Sequence, residues 1–513
     1  MPSKFKTNIR ALAFSTRRRS KKLALPSETW FHILSFLTDS EIVPLYRVNR
    51  LFYNVAMYSQ YRLLSFCDGK GFVLGNACLR DVQLKKRIKS VCISSSYLCV
   101  DEELGISPPL VQASPAKPPM RHRIASLFSR RNTPKVPERK YKCHTPPEMI
   151  LEHILNVLDG AGNLGEFRII HDYGLRWDFS SLILHPVSAA LSNRQSLRKL
   201  YVEGYRLDKV LPLVYFHGLT SVVIAISFSS ELQHSMEVVP SFVKHVAPSV
   251  EILHFSVLDR GHSPSISLPM TEILCDNALM MPNLRELTTP LMVSPDPTLI
   301  FHTMNAKYGS LTKLDLYLHA EDFLPNVCLS SLVLPRLRTL YLSFAPDAPI
   351  LDLWDGQCGS AELDEFSIKG SYLRLEEVDS MCRFFEKTTL VSLSVKVFTL
   401  DGPVLRVLAN HLPALRNLDL FADHLLWLDV SLTGQSMART IARFAVDVQG
   451  CGLQGWGLET LFVSLNIGRV IWSRDPKLSP PHQVAFMLAR CIPSIRKTAC
   501  DYHPTEVPAG VFF

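Results

Sequence analysis

From residue 148 onward the apolar positions recur as L-x-x-L-x-L, with other apolar residues often standing in for Leu. The first copies are SLRKLYV (Leu197, Leu200, Val202), GLTSVVI (Leu219, Val222, Ile224), SVEILHF (Val250, Leu253, Phe255) and NLRELTT (Leu284). SLTKLDL (Leu311, Leu314, Leu316), RLRTLYL (Leu337, Leu340, Leu342), ELDEFSI (Leu363, Phe366, Ile368) and TLVSLSV (Leu390, Leu393, Val395) follow. ALRNLDL (Leu415, Leu418, Leu420), GLETLFV (Leu458, Leu461, Val463) and SIRKTAC (Ile495) complete the series. RIKSVCI, at Ile88, Val91 and Ile93, is an isolated earlier copy. The fourth and sixth positions share one side of a strand, and the first turns into the interior. Pro stands two residues before the first apolar position at Pro248, Pro282, Pro335, Pro413 and Pro493, where it ends a preceding helix. Helical stretches are expected between copies, at 271–281, 376–387 and 403–412.

The amino-terminal half reads differently. Trp30, Ile33, Leu34 and Leu37 fall on one helical face, with Ser27 and Glu28 just after Pro26 as its start. Ile42, Leu45, Val48, Phe52 and Val55 form a second stripe behind Thr38-Asp39-Ser40, with Pro44 early in that helix. About 45 residues of short helix is near the lower limit for an independent core, so this unit needs a partner.

Charge divides the chain. Net charge is +8, and residues 1–22 alone hold eight Lys/Arg and no acid. Residues 148–513 hold 29 basic against 38 acidic residues, which favours a partner of basic character. Residues 101–147 are rich in Pro, Ser, Arg and Lys, as a linker or disordered insertion would be. Arg17–Arg19 with Lys21 and Lys22 fits either a nuclear address or a solvated tail. That cluster contains no aromatic residue, so nucleic acid is not expected as a partner.

Twelve Cys occur without one C-x-x-C pair, and no N-x-S/T acceptor is present. Both facts fit a reducing compartment, cytoplasmic or nuclear or both. No run of eighteen apolar residues exists, so no membrane segment is expected. Gly450-Cys451-Gly452-Leu453-Gln454-Gly455 matches G-x-G-x-x-G, but a repeat strand rather than a helix follows it. No nucleophile–base set or metal-ligand set is visible, so neither cofactor nor catalysis is expected.

Leu25-Pro26-x-Glu28, Ile33-Leu34-Ser35-Phe36-Leu37 and Val48-Asn49-Arg50-x-Phe52 together resemble the F-box family. Asn49 stands where many members have Cys, and Pro44 is a second departure. The resemblance implies docking on a Skp-type adaptor, and through it on a cullin–RING ubiquitin ligase. The residues it implies for adaptor binding are Leu25, Pro26, Glu28, Ile33, Leu34, Leu37, Ile42, Leu45, Val48 and Phe52. The later pattern resembles the leucine-rich repeat over roughly 195–502. The Asn due eight positions after the first Leu occurs only as Asn466, with His319, Ala345, Ser371 and Phe398 elsewhere, so curvature and register stay open.

The expected fold is therefore α/β: a small all-α F-box unit followed by a leucine-rich-repeat-like solenoid with one parallel strand per repeat. The expected divisions are a basic tail at 1–22, the helical unit at 23–66, a first irregular repeat at 67–100, the linker at 101–147 and the repeat domain at 148–513. Two functions fit: the substrate receptor of a ubiquitin ligase, capturing an unknown protein, or a protein-binding scaffold outside any ligase. The face beside the buried positions is expected to bind that protein, through Tyr201, His254, Tyr317, Tyr341, Asp419, Phe421 and Phe462.

Overall fold

The computed structural model describes Thr29 and residues 62–66, 82–95, 147–171, 180–204, 206–227, 237–258, 270–276, 281–291, 297–318 and 328–344. It further describes 351–360, 362–426, 434–465, 480–500 and 503–506. The adaptor-binding residues expected from Leu25 to Phe52 lie outside these. One compact unit comprises Leu64–Ile106 with Tyr141–Phe513. Of the other unit, Met1–Leu63 with Ser107–Lys140, only Thr29, Arg62 and Leu63 are described.

Among the described residues, fifteen strands make a single sheet in which spatial order equals chain order. They are β1 (Leu63–Phe66), β2 (Ser90–Ser94), β3 (Glu166–His171), β4 (Lys199–Gly204) and β5 (Ser221–Ser227). β6 (Ile252–Leu258), β7 (Glu286–Leu291), β8 (Lys313–Leu318), β9 (Thr339–Phe344) and β10 (Glu365–Lys369) continue the series. β11 (Ser392–Leu400), β12 (Asn417–Leu425), β13 (Thr460–Leu465), β14 (Lys497–Cys500) and β15 (His503–Glu506) end it. Pairing is parallel from β2 to β14, and β15 returns antiparallel on β14. The hairpin pairs the outer side of β14, which would otherwise offer unsatisfied strand groups.

The inward phase follows the motif. Leu200 with Val202, Leu314 with Leu316, Leu340 with Leu342 and Leu418 with Leu420 are all buried, as are the first-position Leu197, Leu311, Leu337 and Leu415. In NLRELTT the inward pair is Leu287 and Thr289. Return segments cover this side. Val239, Phe242, Val243 and Val246 of helix Val238–Val246 are buried, and so are Val404, Leu405 and Leu408 of helix Gly402–His411. Fully burying a Leu, Val or Phe stabilises by about 1.5–3 kcal/mol, so each repeat adds several such contributions. The helices expected at 271–281, 376–387 and 403–412 occur as Met270–Cys275, Leu375–Phe385 and Gly402–His411. Asp401 starts the last of these by accepting the Val404 N–H at 3.0 Å, with Pro403 in its first turn.

Register is held by the backbone. At the start of each strand from β3 to β14 two consecutive N–H groups donate to one carbonyl of the preceding repeat. Arg198 and Lys199 donate to Gly165 O (both 2.9 Å), and Thr220 and Ser221 to Arg198 O (2.8 and 3.0 Å). Glu251 and Ile252 donate to Thr220 O, Arg285 and Glu286 to Glu251 O, and Thr312 and Lys313 to Arg285 O. The same fork recurs through Arg338, Asp364, Val391 and Arg416 to Glu459, whose carbonyl receives Arg496 and Lys497. Serine hydroxyls add a second, partial ladder: Ser196 to Leu164 O, Ser249 to Leu219 O and Ser310 to Leu284 O, each at 2.8 Å.

Two strands depart from the sequence reading. β3 belongs to a further copy, Leu164-x-x-Phe167-x-Ile169, absent from the series above, whose three apolar residues are buried. RIKSVCI is consequently not isolated: it forms β2 and pairs directly with β3. β1 lies within the segment 23–66 assigned to the helical unit, so the sheet begins before both the linker and residue 148. The apolar run LLSF is short enough to read as either helix or strand.

Gly370 closes β10 at a left-handed φ of +101°, and a Cβ there would overlap the Phe344 carbonyl. Gly370→Ala combines that clash with a backbone conformation that costs a non-Gly residue about 1–3 kcal/mol. A fall of at least that size is expected in urea unfolding, against little change for Gly309→Ala, whose Cβ would meet nothing within 4 Å.

Candidate protein-interaction surface

The alternation that buries one side of each strand leaves the other open. Register aligns one residue from every strand between β2 and β14 into a continuous row. It runs Cys92, Arg168, Tyr201, Val223, His254, Thr288 and Asp315, then Tyr341, Ser367, Ser394, Asp419, Phe462 and Ala499. Apart from Cys92 and Ser367, these residues are half-buried or exposed. Five of the seven residues expected to meet a partner, Tyr201, His254, Tyr341, Asp419 and Phe462, lie in this row. Tyr317 and Phe421 lie one step further along their strands. The structure thus brings all seven onto one face of one sheet.

Tyr341 is the centre of the best-connected group. Its hydroxyl donates to Glu365 Oε1 at 2.7 Å, and the ammonium groups of Lys313 and Lys369 lie 5.5 and 5.4 Å from its ring centroid. Such cation–ring contacts stabilise by about 0.5–1 kcal/mol at exposed sites. Burial pushes the Tyr341 hydroxyl well above its ordinary value, and the bond to Glu365 adds to that. Asp315 beside it is raised by burial, an effect opposed by Lys369, His254 and Lys313. His254 is lowered by burial, with Asp315 pulling it back up and Lys313 lowering it further. Tyr317 stands between Pro290 and Ser343 in register, and at 41% it is the most exposed of the face's aromatics.

Tyr201 repeats the arrangement near the other end. Its hydroxyl donates to Glu203 Oε2 at 2.6 Å, and the Arg168 guanidinium sits 5.7 Å from its ring centroid. Toward the carboxyl end, the Phe421 and Phe462 rings are 5.2 Å apart, and Asp419 precedes Phe421 by two residues. Asp419 is raised by burial and by the nearby Glu365 carboxylate.

Sequence reasoning missed Arg168, because the β3 copy went unrecognised. It also missed Phe398, Lys396 and Asp423, because β11 and β12 each run nine residues, beyond the six-residue motif. The continued alternation in KVFTL and FADHL was the available signal.

Gly450 follows helix Gly434–Gln449, Gly452 takes a left-handed φ of +69°, and Leu453–Gly455 form a 3-10 turn leading to β13. That geometry opens no helix toward a phosphate. No helix among the described residues is long and apolar enough to cross a membrane.

No family model matches the chain, and no curated protein matches it. Among solved structures it is similar, at 11% identity and a TM-score of 0.27, to one described as the structure of the Toll–Spatzle complex, a molecular hub in Drosophila development and innate immunity. The match covers 75% of this chain, which spans 59% of the length of that one.

The burial of Asp419 has a thermodynamic consequence. Its folded-state pKa lies above the ordinary value of 3.8, so folding favours the protonated form. The resulting cost to stability is absent below pH 3.8 and grows as pH rises through the raised folded value. Asp419→Asn should raise the melting temperature at pH 7, and the gain should shrink as pH falls toward 3.8. Calorimetry across pH checks this; a gain that is independent of pH would contradict it.

Proposed function

We propose that the chain is the substrate-recognition subunit of a Skp–cullin–F-box type ubiquitin ligase. In this reading Leu25, Pro26, Glu28, Ile33, Leu34, Leu37, Ile42, Leu45, Val48 and Phe52 dock the adaptor, and the repeat sheet captures a protein substrate. The role is non-catalytic. What supports the first half is the resemblance of residues 25–52 to the F-box. What supports the second, and carries most of the argument, is the aligned row on the open face. Aromatic side chains fixed among charges are the usual anchors of a protein interface, while most of the surrounding contacts supply complementarity. Hydroxyl and cation contacts already hold Tyr201 and Tyr341, so little rotamer freedom is lost on binding.

The sheet face by itself also fits a binding scaffold outside any ligase. Proximity labelling in cells separates the two, with Leu25→Ala/Pro26→Ala and Tyr317→Ala/Tyr341→Ala compared against the parent chain. The first variant should lose the adaptor and keep other neighbours. The second should keep the adaptor and lose a substrate by tenfold or more, since anchor truncations cost about 2 kcal/mol or more. Retention of the adaptor by the first variant would sink the ligase reading and leave the scaffold. Unfolding of the second would mean those side chains are core.

A further inference from the structure

Resting on the reading of the sheet face as a protein-binding surface, we infer that its β11–β13 end is an anchor for a basic side chain, Arg or Lys, carried by an apolar segment of the partner. Three rings descend diagonally across these strands: Phe398 on β11, Phe421 on β12 and Phe462 on β13. Lys396 faces Phe421 in register, and Asp419 faces Phe462, which places each ring one step from the next. Phe421 and Phe462 are in ring contact, and Phe398 meets the His424 ring at 5.0 Å. All three are half-buried on the open face.

The charges around these rings are unevenly satisfied. Arg416, just before β12, is paired with Glu459 at 3.5 Å. Asp423 has His424 at 3.4 Å. Lys396, on the neighbouring strand two residues beyond the one facing Asp419, lies with its ammonium 5.7 Å from the Tyr372 ring centroid. Lys369 is likewise held over Tyr341. Asp419 forms no hydrogen bond or ion pair with any described residue, and the charge that acts on it, Glu365, has its own sign. A half-buried carboxylate in that position attracts a cation from outside. The two rings beside it suit the aliphatic stem of Lys or the flat guanidinium of Arg. The excess of 38 acidic over 29 basic residues in 148–513 points the same way by steering a basic partner to this unit.

The test uses the full chain and a fluorescein-labelled peptide of alternating Arg and Leu, with a Glu-for-Arg counterpart, read by anisotropy. The Arg–Leu peptide should bind and the Glu–Leu peptide should not. Asp419→Asn and Phe421→Ala/Phe462→Ala should each weaken binding at least tenfold, while Asp208→Asn, a distant paired carboxylate, should leave it unchanged. Because Asp419→Asn is expected to stabilise the fold, lost binding in that variant cannot be blamed on unfolding. Equal binding of both peptides would overturn the anchor. Binding that survives Asp419→Asn but is lost in Tyr317→Ala/Tyr341→Ala would overturn the anchor and keep the sheet-face reading. Binding indifferent to every variant would overturn both. Binding seen only after removal of residues 1–22 would assign the place to the chain's own basic front and overturn a separate partner.

Discussion

One carbonyl per repeat accepts two N–H groups from the next, and the solenoid depends on that fork. It sits where each chain segment turns from the return path into the strand, and it recurs without a gap from Lys89 to Glu459. A buried backbone group without a partner costs free energy comparable to a lost hydrogen bond, so a slip by one residue would forfeit a pair of bonds in every repeat. A slip would also move Leu200, Leu314 and Leu418 to the open side, because side chains alternate along a strand. Hydrogen bonding and apolar burial therefore select the same register.

That agreement explains how copies spaced 22 to 76 residues apart in sequence form an unbroken sheet. The variation is taken up in the return segments, which range from the 3-10 turn Leu329–Ser331 to the sixteen-residue helix Gly434–Gln449. The open face feels none of it. Its residues are set by the strands alone, so a row of side chains crosses thirteen strands in step. A surface of this kind suits recognition, since its side chains vary freely while the backbone beneath stays fixed.

Much of this was legible in the sequence. Apolar spacing identified twelve strands and the inward pair of ten of them, and Pro248, Pro282 and Pro413 marked where helices give way to them. The same spacing puts Tyr317, Tyr341 and Asp419 on the open face. Register was not legible, because the fork is made by backbone groups that leave no residue signature. Partial traces exist: Thr220 and Thr312 hydroxyls donate to the fork carbonyls of Arg198 and Arg285, and Ser196, Ser249, Ser310 and Ser494, each directly before a first-position apolar residue, bond the preceding repeat. β3 escaped although Leu164, Phe167 and Ile169 carry the same residue types as Leu363, Phe366 and Ile368; its spacing was present in the sequence and went unread. Phe398 escaped because its position was read only as a missing Asn. The adaptor-binding residues from Leu25 to Phe52 rest on resemblance and lie outside the described residues.

A backbone fork, repeated strand by strand, makes one sheet whose open face is fixed. Hydrogen–deuterium exchange on the full chain measures it directly. The amides of Lys199, Ser221, Ile252, Glu286, Lys313, Thr339, Glu365, Ser392, Asn417 and Thr460 should exchange slowly, and with similar protection along the series. Exchange at these amides as fast as in the connecting loops, or protection that stops partway along the series, would contradict a single register-locked sheet.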